Sequence, residues 1–387
     1  MTHISFGKLP VSNQFQDSSG KINENYDLTI VQDNSIGLVH IKQPIDYDIF
    51  IPKYSWLTET EPSEHFDNVS NWIAQYSIDK NKSILGLSYR DQPLINYLKR
   101  VNYKNSELVD YSPIQEIIYP GVSQQAKILS SNNHFSKLFS NKKYSILLSS
   151  RIIHHVANLR EYFENIKELL YDDGIVIFEV PDCERGFRNL DYNIVFEEHI
   201  NYFTEHSFIS TIKHYGFDIV YYKKYSFEIE DALVAVAMKS KIKKSQIKTN
   251  IQSFKREKQT FKYFVDSFND VKKNINDYID KLFYNGKIVI FGAGHHGCMF
   301  VNIMQLENKI DSFIDDNLNK HKYFSPGSGL PIRDSNYLKN KNISFCLVSV
   351  SQINEEFIIQ KINKINDNII IYSIFPTSNN TLPIYNK

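Results

Sequence analysis

Glu197, Glu198 and His199 place two carboxylates and an imidazole in consecutive positions, with Tyr202 and Phe203 just behind. Such a set can move a proton. An unperturbed imidazole titrates near neutrality, roughly pH 6.5, and a neighbouring carboxylate raises its basicity and orients its ring. The same residues also suit a salt-bridged surface loop, so position decides between the two. Upstream, the apolar run that includes Phe178-Glu179-Val180 ends at Pro181-Asp182, which reads as a buried strand delivering the chain to the carboxyl edge of a sheet. Open α/β sheets bind ligands at that edge.

The elements that must position these residues alternate. Between about 70 and 238 the pattern predicts helix Phe66 to Tyr76, strand Ser83 to Leu87, helix Pro93 to Arg100 and strand Glu107 to Asp110. Strand Tyr144 to Leu148, helix Leu159 to Leu170, strand Ile175 to Val180, helix 206–215 and strand Asp218 to Tyr222 follow. Strands and helices at this spacing make a doubly wound α/β sheet. Before it, Tyr26 to Val31 and Gly37 to Ile41 predict a small hairpin, and Tyr54 and Trp56 belong to an aromatic cluster able to line a sugar site. After it, Ile251, Phe254, Phe261, Phe264, Phe268, Val271, Ile275, Tyr278 and Leu282 form one helical stripe. Packing between domains is the expected use of that stripe, with a homodimer as the alternative.

From Lys287 a second α/β unit begins. Strand Lys287 to Phe291 runs straight into Gly292-Ala293-Gly294-His295-His296-Gly297, and a strand from Ile310 to Ile314 ends at Asp315-Asp316. This is a G-x-G-x-x-G turn between strand and helix with an acid about 20 residues on, a Rossmann-like signature. The turn serves dinucleotides and other phosphate-bearing ligands alike.

At 387 residues the chain exceeds one ordinary core. The expected division is 1–68, a small β-rich module; 69–238, the first α/β domain; 239–285, a helical connector; and 286–387, the Rossmann-like domain. Lys plus Arg and Asp plus Glu stand at 44 each, so no net field favours nucleic acid or an anionic membrane. Cys183, Cys298 and Cys346 are isolated and make no metal-ligand spacing, so no metal is expected. No apolar run reaches the roughly 18 residues that span a bilayer, and the N-terminus lacks a signal-peptide pattern. The expected location is the cytoplasm.

Several of these stretches, in order, resemble the deoxysugar C-methyltransferase family, which acts on nucleotide-linked keto-sugars. Phe6 to Asn13 is similar to its "G-x-x-P-x-A-N" segment, and Gly37-Leu38-Val39 to its "GLVQ". Arg151 to Asn158 is similar to the segment after its third main strand. Glu179-Val180-Pro181 and Glu198 to Phe203 resemble its "EVP" and "EHxxYF" motifs; Gly292 to Gly297, Ile314 to Asn317 and Ser325 to Ile332 resemble its C-terminal domain.

The resemblance implies a class I methyltransferase-like sheet that uses S-adenosylmethionine. A base removes the proton α to a ketone and the enolate takes the methyl group. His199 fits the base, Glu198 its partner, and His155 a donor to the enolate oxygen. Gly86, Ser88, Asp91 and Asp110 fall on the cofactor positions. Tyr54, Trp56, Tyr202, Gly292, Gly294, His295, Gly297 and Asp315 fall on the substrate side. The sequence also departs from the family. Asp33 and Ile36 stand near where a cysteine pair would bind zinc, so no zinc is expected and apolar packing alone should hold the hairpin. The acidic, glycine-rich turn is replaced by Gly86 to Gln92, with Ser88 and Gln92 at the glycine positions, and Phe196 stands for a tyrosine. Alternative readings are an enolising enzyme that epimerises without a methyl donor, a non-catalytic nucleotide-sugar-binding paralogue, and a nicotinamide oxidoreductase built on the Gly292 turn. The product would feed surface polysaccharide or glycoside synthesis.

Overall fold

The computed structural model describes residues 2–17, 24–51, 53–54, 62–76, 79–114, 121–228, 230–241, 251–283 and 286–385. In chain order its strands are β1 (His3–Pro10), β2 (Asn25–Gln32), β3 (Val39–Ile41), β4 (Ile84–Gly86) and β5 (Ser106–Leu108). Then come β6 (Tyr144–Ser150), β7 (Leu170–Pro181), β8 (Asn201–Tyr202), β9 (Phe217–Tyr225) and β10 (Ala232–Lys239). The last are β11 (Lys287–Phe291), β12 (Ser312–Ile314), β13 (Ile332–Arg333), β14 (Ile343–Val348) and β15 (Ile370–Ser373).

The chain divides into two compact units, one of residues 32–183 and 198–258, the other of 2–31, 184–197 and 259–387. This differs from the four consecutive segments expected. Phe6 and Tyr192 share a ring cluster with Phe264 and Phe268 of the long helix Ile251–Phe283, which draws β1 and the 184–197 segment into the second unit. The stripe on that helix is buried at Phe261, Phe264, Phe268, Ile275 and Leu282, whereas Ile251 is exposed.

The first unit is built on a six-stranded sheet in the order β5-β4-β6-β7-β10-β9. The four strands from β5 to β7 are parallel, and β10 runs antiparallel to both its neighbours, so the sheet is mixed. Its two faces follow the two-residue period of a strand. Ile146, Ile175, Ile177, Val234 and Val236 point to one face, where Leu94, Ile95 and Leu98 of helix Gln92–Arg100 cover them. Leu147, Val176, Phe178, Leu233 and Ala235 point to the other, covered by Tyr162, Phe163 and Ile166 of helix Leu159–Leu169. Strands buried on both faces must read as continuous apolar runs, as Ile175 to Phe178 and Ala232 to Ala237 do.

The short strand β3 pairs with β8 through Val39 and Tyr202. The turn before β3 is closed by the Asp33 carboxylate, which accepts hydrogen bonds from the backbone N–H of Ser35 (2.6 Å) and Ile36 (3.0 Å). A polar turn thus adds to the apolar packing expected to hold this region alone. The second unit carries an all-parallel sheet in the order β13-β12-β11-β14-β15. No helix among the described residues is long and apolar enough to cross a membrane.

Phe178 is fully buried with its ring against Phe163 and Phe217. Phe178→Ala should lower unfolding free energy by about 3–5 kcal/mol in urea titration; a loss under about 1 kcal/mol would contradict this account of the core.

Candidate active site

The carboxyl end of β6 leads into the single turn Ile153–His155, which places His154 and His155 side by side. His199 meets them from the segment before β8. The ring centroids lie 4.1 Å apart for His154 and His155, 4.6 Å for His154 and His199, and 5.0 Å for His155 and His199.

A frame of backbone contacts fixes the turn. Ile200 N–H donates to the His154 carbonyl (2.9 Å), and Asn201 Nδ2 donates to the carbonyls of Ile153 (3.2 Å) and Val156 (2.7 Å). The Tyr47 hydroxyl donates to the His155 carbonyl (2.9 Å) and accepts from Ala157 N–H (2.7 Å). The segment carrying His199 is therefore bonded directly to the turn carrying the other two histidines.

His155 Nδ1 lies 2.9 Å from the Glu198 backbone carbonyl. A carbonyl can only accept, so Nδ1 carries the proton and Nε2 presents a lone pair. The Ser123 hydroxyl donates to Glu198 Oε1 (2.7 Å) and its oxygen faces His155 Nδ1 at 3.4 Å. Burial, with the Arg90 charge second, pushes the His155 pKa down to about 3. Burial also holds His154 well below its ordinary value, with His155, His199, Arg151 and Arg90 acting the same way. Both rings are neutral near neutral pH. In this tautomer the Nδ1 hydrogen of His155 is committed to the Glu198 carbonyl.

The expected catalytic residues His199, Glu198 and His155 are thus brought together, and Ser123 and His154 join them unforeseen. The adjacent pair His154-His155 was a signal in the sequence; Ser123, on helix Val122–Leu129, left none. Glu197 points elsewhere and accepts from the backbone N–H (2.7 Å) and hydroxyl (2.9 Å) of Ser12.

The expected cofactor positions sit at the carboxyl ends of β4 and β5. Gly86 is packed so closely that an added Cβ would lie 2.7 Å from Leu108 and 2.8 Å from Asp91. Ser88 caps the turn Tyr89–Asp91, and Asp91 is enclosed, its carboxyl accepting from Ser88 N–H and Ser150 N–H at 2.9 Å each. Asp91, expected at the cofactor, is enclosed and ties the turn to the end of β6. Asp110 is exposed beyond β5, its carboxyl held below the ordinary value by hydrogen bonds from Ser112.

Among the expected substrate positions, Trp56 lies outside the described residues and Tyr54 is half-buried. Tyr202 is wholly interior in β8, so it packs the core and cannot offer its ring to a sugar. In the second unit, Gly292 has φ +107°, and a Cβ at Gly297 would meet the Gly292 carbonyl and Ser349 at 2.7 Å, so both positions need glycine. Gly294 has open space around it, and His295, half-buried beyond it, is kept neutral by burial and by His296. Asp315 accepts from Ala293 N–H (2.9 Å) and pairs with Lys320 (2.8 Å), closing the turn. Beside it a cavity of about 260 Å³ is lined by Gly292, Asp315, Asp316, Asn354 and Phe357.

Residues 62–222 match the family described as a methyltransferase domain, and residues 233–373 match the C-methyltransferase C-terminal domain. The protein is a methyltransferase, and its residues 233–373 are similar to the C-methyltransferase C-terminal domain. No curated protein sequence matches the chain. Among solved structures it is similar to the 1,6-didemethyltoxoflavin N1-methyltransferase of Burkholderia thailandensis, at 15% identity over 54% of this chain and 97% of that one, with a TM-score of 0.35. It is also similar to an S-adenosylmethionine-dependent methyltransferase of Clostridium acetobutylicum, at 14% identity over 45% and 92% of the two chains, with a TM-score of 0.30.

Burial pushes the Asp91 pKa up to about 7, against the hydrogen bonds from Ser150 and Ser88, while an unfolded aspartate titrates near about 3.9. Between about pH 4 and 7 the folded protein therefore binds a proton the unfolded chain has lost. The Asp91 contribution to stability falls as pH rises through that window and is flat above it. Asp91→Asn should remove this slope, by at most roughly 4 kcal/mol between pH 4 and pH 8, in urea unfolding at each pH. An unchanged slope would contradict a protonated Asp91.

Proposed function

We propose that the protein transfers a methyl group from S-adenosylmethionine to a carbon of a nucleotide-linked keto-deoxysugar, after loss of the proton α to the ketone. The observation that carries this reading is the Glu198–His199 pair beside two buried neutral histidines at the carboxyl edge of β6. Nitrogen and oxygen nucleophiles already hold a lone pair, whereas a carbon nucleophile has to be made by removing a proton. A carboxylate and an imidazole held in one rigid frame supply that proton acceptor. The C-methyltransferase C-terminal domain at 233–373 supports carbon as the accepting atom.

At the cofactor edge, the exposed Asp110 carboxylate fits the ribose hydroxyls of S-adenosylmethionine, and the backbone of the Leu87–Tyr89 segment would run beside it. Bound there, the cofactor supplies the electrophilic methyl group. In the second unit, the Gly292–Gly297 turn is of the kind that holds phosphate-bearing ligands. The closed Ser88–Asp91 turn favours one alternative: the same proton removal followed by reprotonation from the opposite face, an epimerisation needing no methyl donor.

In deuterium oxide, a nucleotide-linked 4-keto-6-deoxysugar should take up deuterium α to the ketone, and Glu198→Gln and His199→Ala should each slow uptake by about 100-fold or more. Methylated product with the cofactor present supports transfer; inverted, deuterated product without it supports epimerisation. Uptake at the wild-type rate in both variants would remove the pair from the proton transfer.

A further inference from the structure

The three histidines leave a chemical question unanswered. An enolate oxygen develops negative charge, yet with its Nδ1 hydrogen given to the Glu198 carbonyl His155 has only a lone pair left to offer. Lone pairs do not stabilise an anion. Three imidazoles whose ring nitrogens lie close together are the donor set of a transition-metal ion.

We propose that His154, His155 and His199 form a binding site for a divalent transition-metal ion such as zinc, which receives the ketone oxygen of the substrate.

Four observations support the site. One ligand nitrogen from each histidine lies within 4.8 Å of the others, close enough for small ring movements to bring all three onto one ion. His154 is 3% exposed, and its Nδ1 has no hydrogen-bond partner among the described residues. A buried ring nitrogen left unpaired costs stability, and a metal ligand is a role that accounts for it. His155 donates Nδ1–H to the Glu198 carbonyl, the outer contact that commonly fixes a metal-binding histidine with Nε2 facing the ion. The hydrogen bonds from Ile200 and Asn201 hold the backbone carrying all three rings before any ion arrives.

Three protein ligands leave a fourth position open, the arrangement of catalytic rather than structural zinc. Glu198, whose carboxylate is held by Ser123, lies outside the three-nitrogen set. The inference rests on the proposed reaction only for what the ion does. With His199 committed to the ion, Glu198 is the member of the pair that takes the proton. The α C–H electrons then form the enolate double bond, and the carbonyl electron pair moves onto the oxygen held by the ion.

The test uses the full chain with any affinity tag removed, freed of metal by chelator and titrated with cobalt(II) as a spectroscopic stand-in for zinc. One equivalent should bind with a visible ligand-field band. His154→Asn should weaken binding by at least about 100-fold, beyond the loss of even an outer-shell contact. If His154→Asn melts well below the wild type without metal, His199→Gln serves in its place with the same expectation. Absence of a stoichiometric cobalt complex, or equal binding by a variant that stays folded, overturns the site. Deuterium uptake by the keto-sugar reads the proposed reaction separately. Uptake in a protein that binds no cobalt overturns the metal site and leaves the reaction standing. Histidine-dependent cobalt binding without uptake supports the site and removes the reaction.

Discussion

The hydrogen bond from His155 Nδ1 to the Glu198 carbonyl governs the chemistry available to the first unit. It ties the turn after β6 to the segment carrying Glu198 and His199, and it decides which nitrogen of His155 carries the hydrogen. Because the accepting group is a backbone carbonyl, the position of the acceptor is set by the path of the chain. The contacts of Ile200 and Asn201 repeat the constraint around the same turn. Side chains far apart in sequence are thereby held as one group, at the sheet edge where α/β proteins bind ligands.

The opposite choice was made at the carboxyl end of β4. A glycine-rich turn keeps backbone N–H groups open to a ligand; here Ser88 and Asp91 satisfy them internally, and Asp91 is buried to do so. The second unit shows the same economy at Asp315, which closes its glycine turn through Ala293. Both turns gain rigidity from an acid that a more open turn would leave for a ligand. Asp110, exposed beyond β5, keeps its carboxylate available.

Much of this was legible in the sequence, for physical reasons. Apolar runs and amphipathic stretches gave nearly every element of the first sheet, because burial on one or two faces imposes a period. The strand Ala232–Lys239 has the apolar run of a strand buried on both faces, but its antiparallel insertion between β7 and β9 is a tertiary fact that no local pattern carries. The partition into two units was hidden as well, since it depends on Phe6 and Tyr192 finding the long helix. At the site, Glu198, His199 and His155 stood out by residue type. Ser123 did not, because nothing local distinguishes a serine on a helix that happens to face a carboxylate. The His155 tautomer depends on a contact 43 residues away, and no spacing rule encodes it.

The central claim is that the acceptor of the methyl group is carbon. Incubating the protein with a nucleotide-linked 4-keto-6-deoxysugar and S-adenosylmethionine labelled with carbon-13 in its methyl group tests this directly by nuclear magnetic resonance. The account predicts a labelled methyl joined to a ring carbon next to the ketone, seen as a long-range correlation to that carbonyl. A labelled methyl attached to oxygen or nitrogen would contradict it.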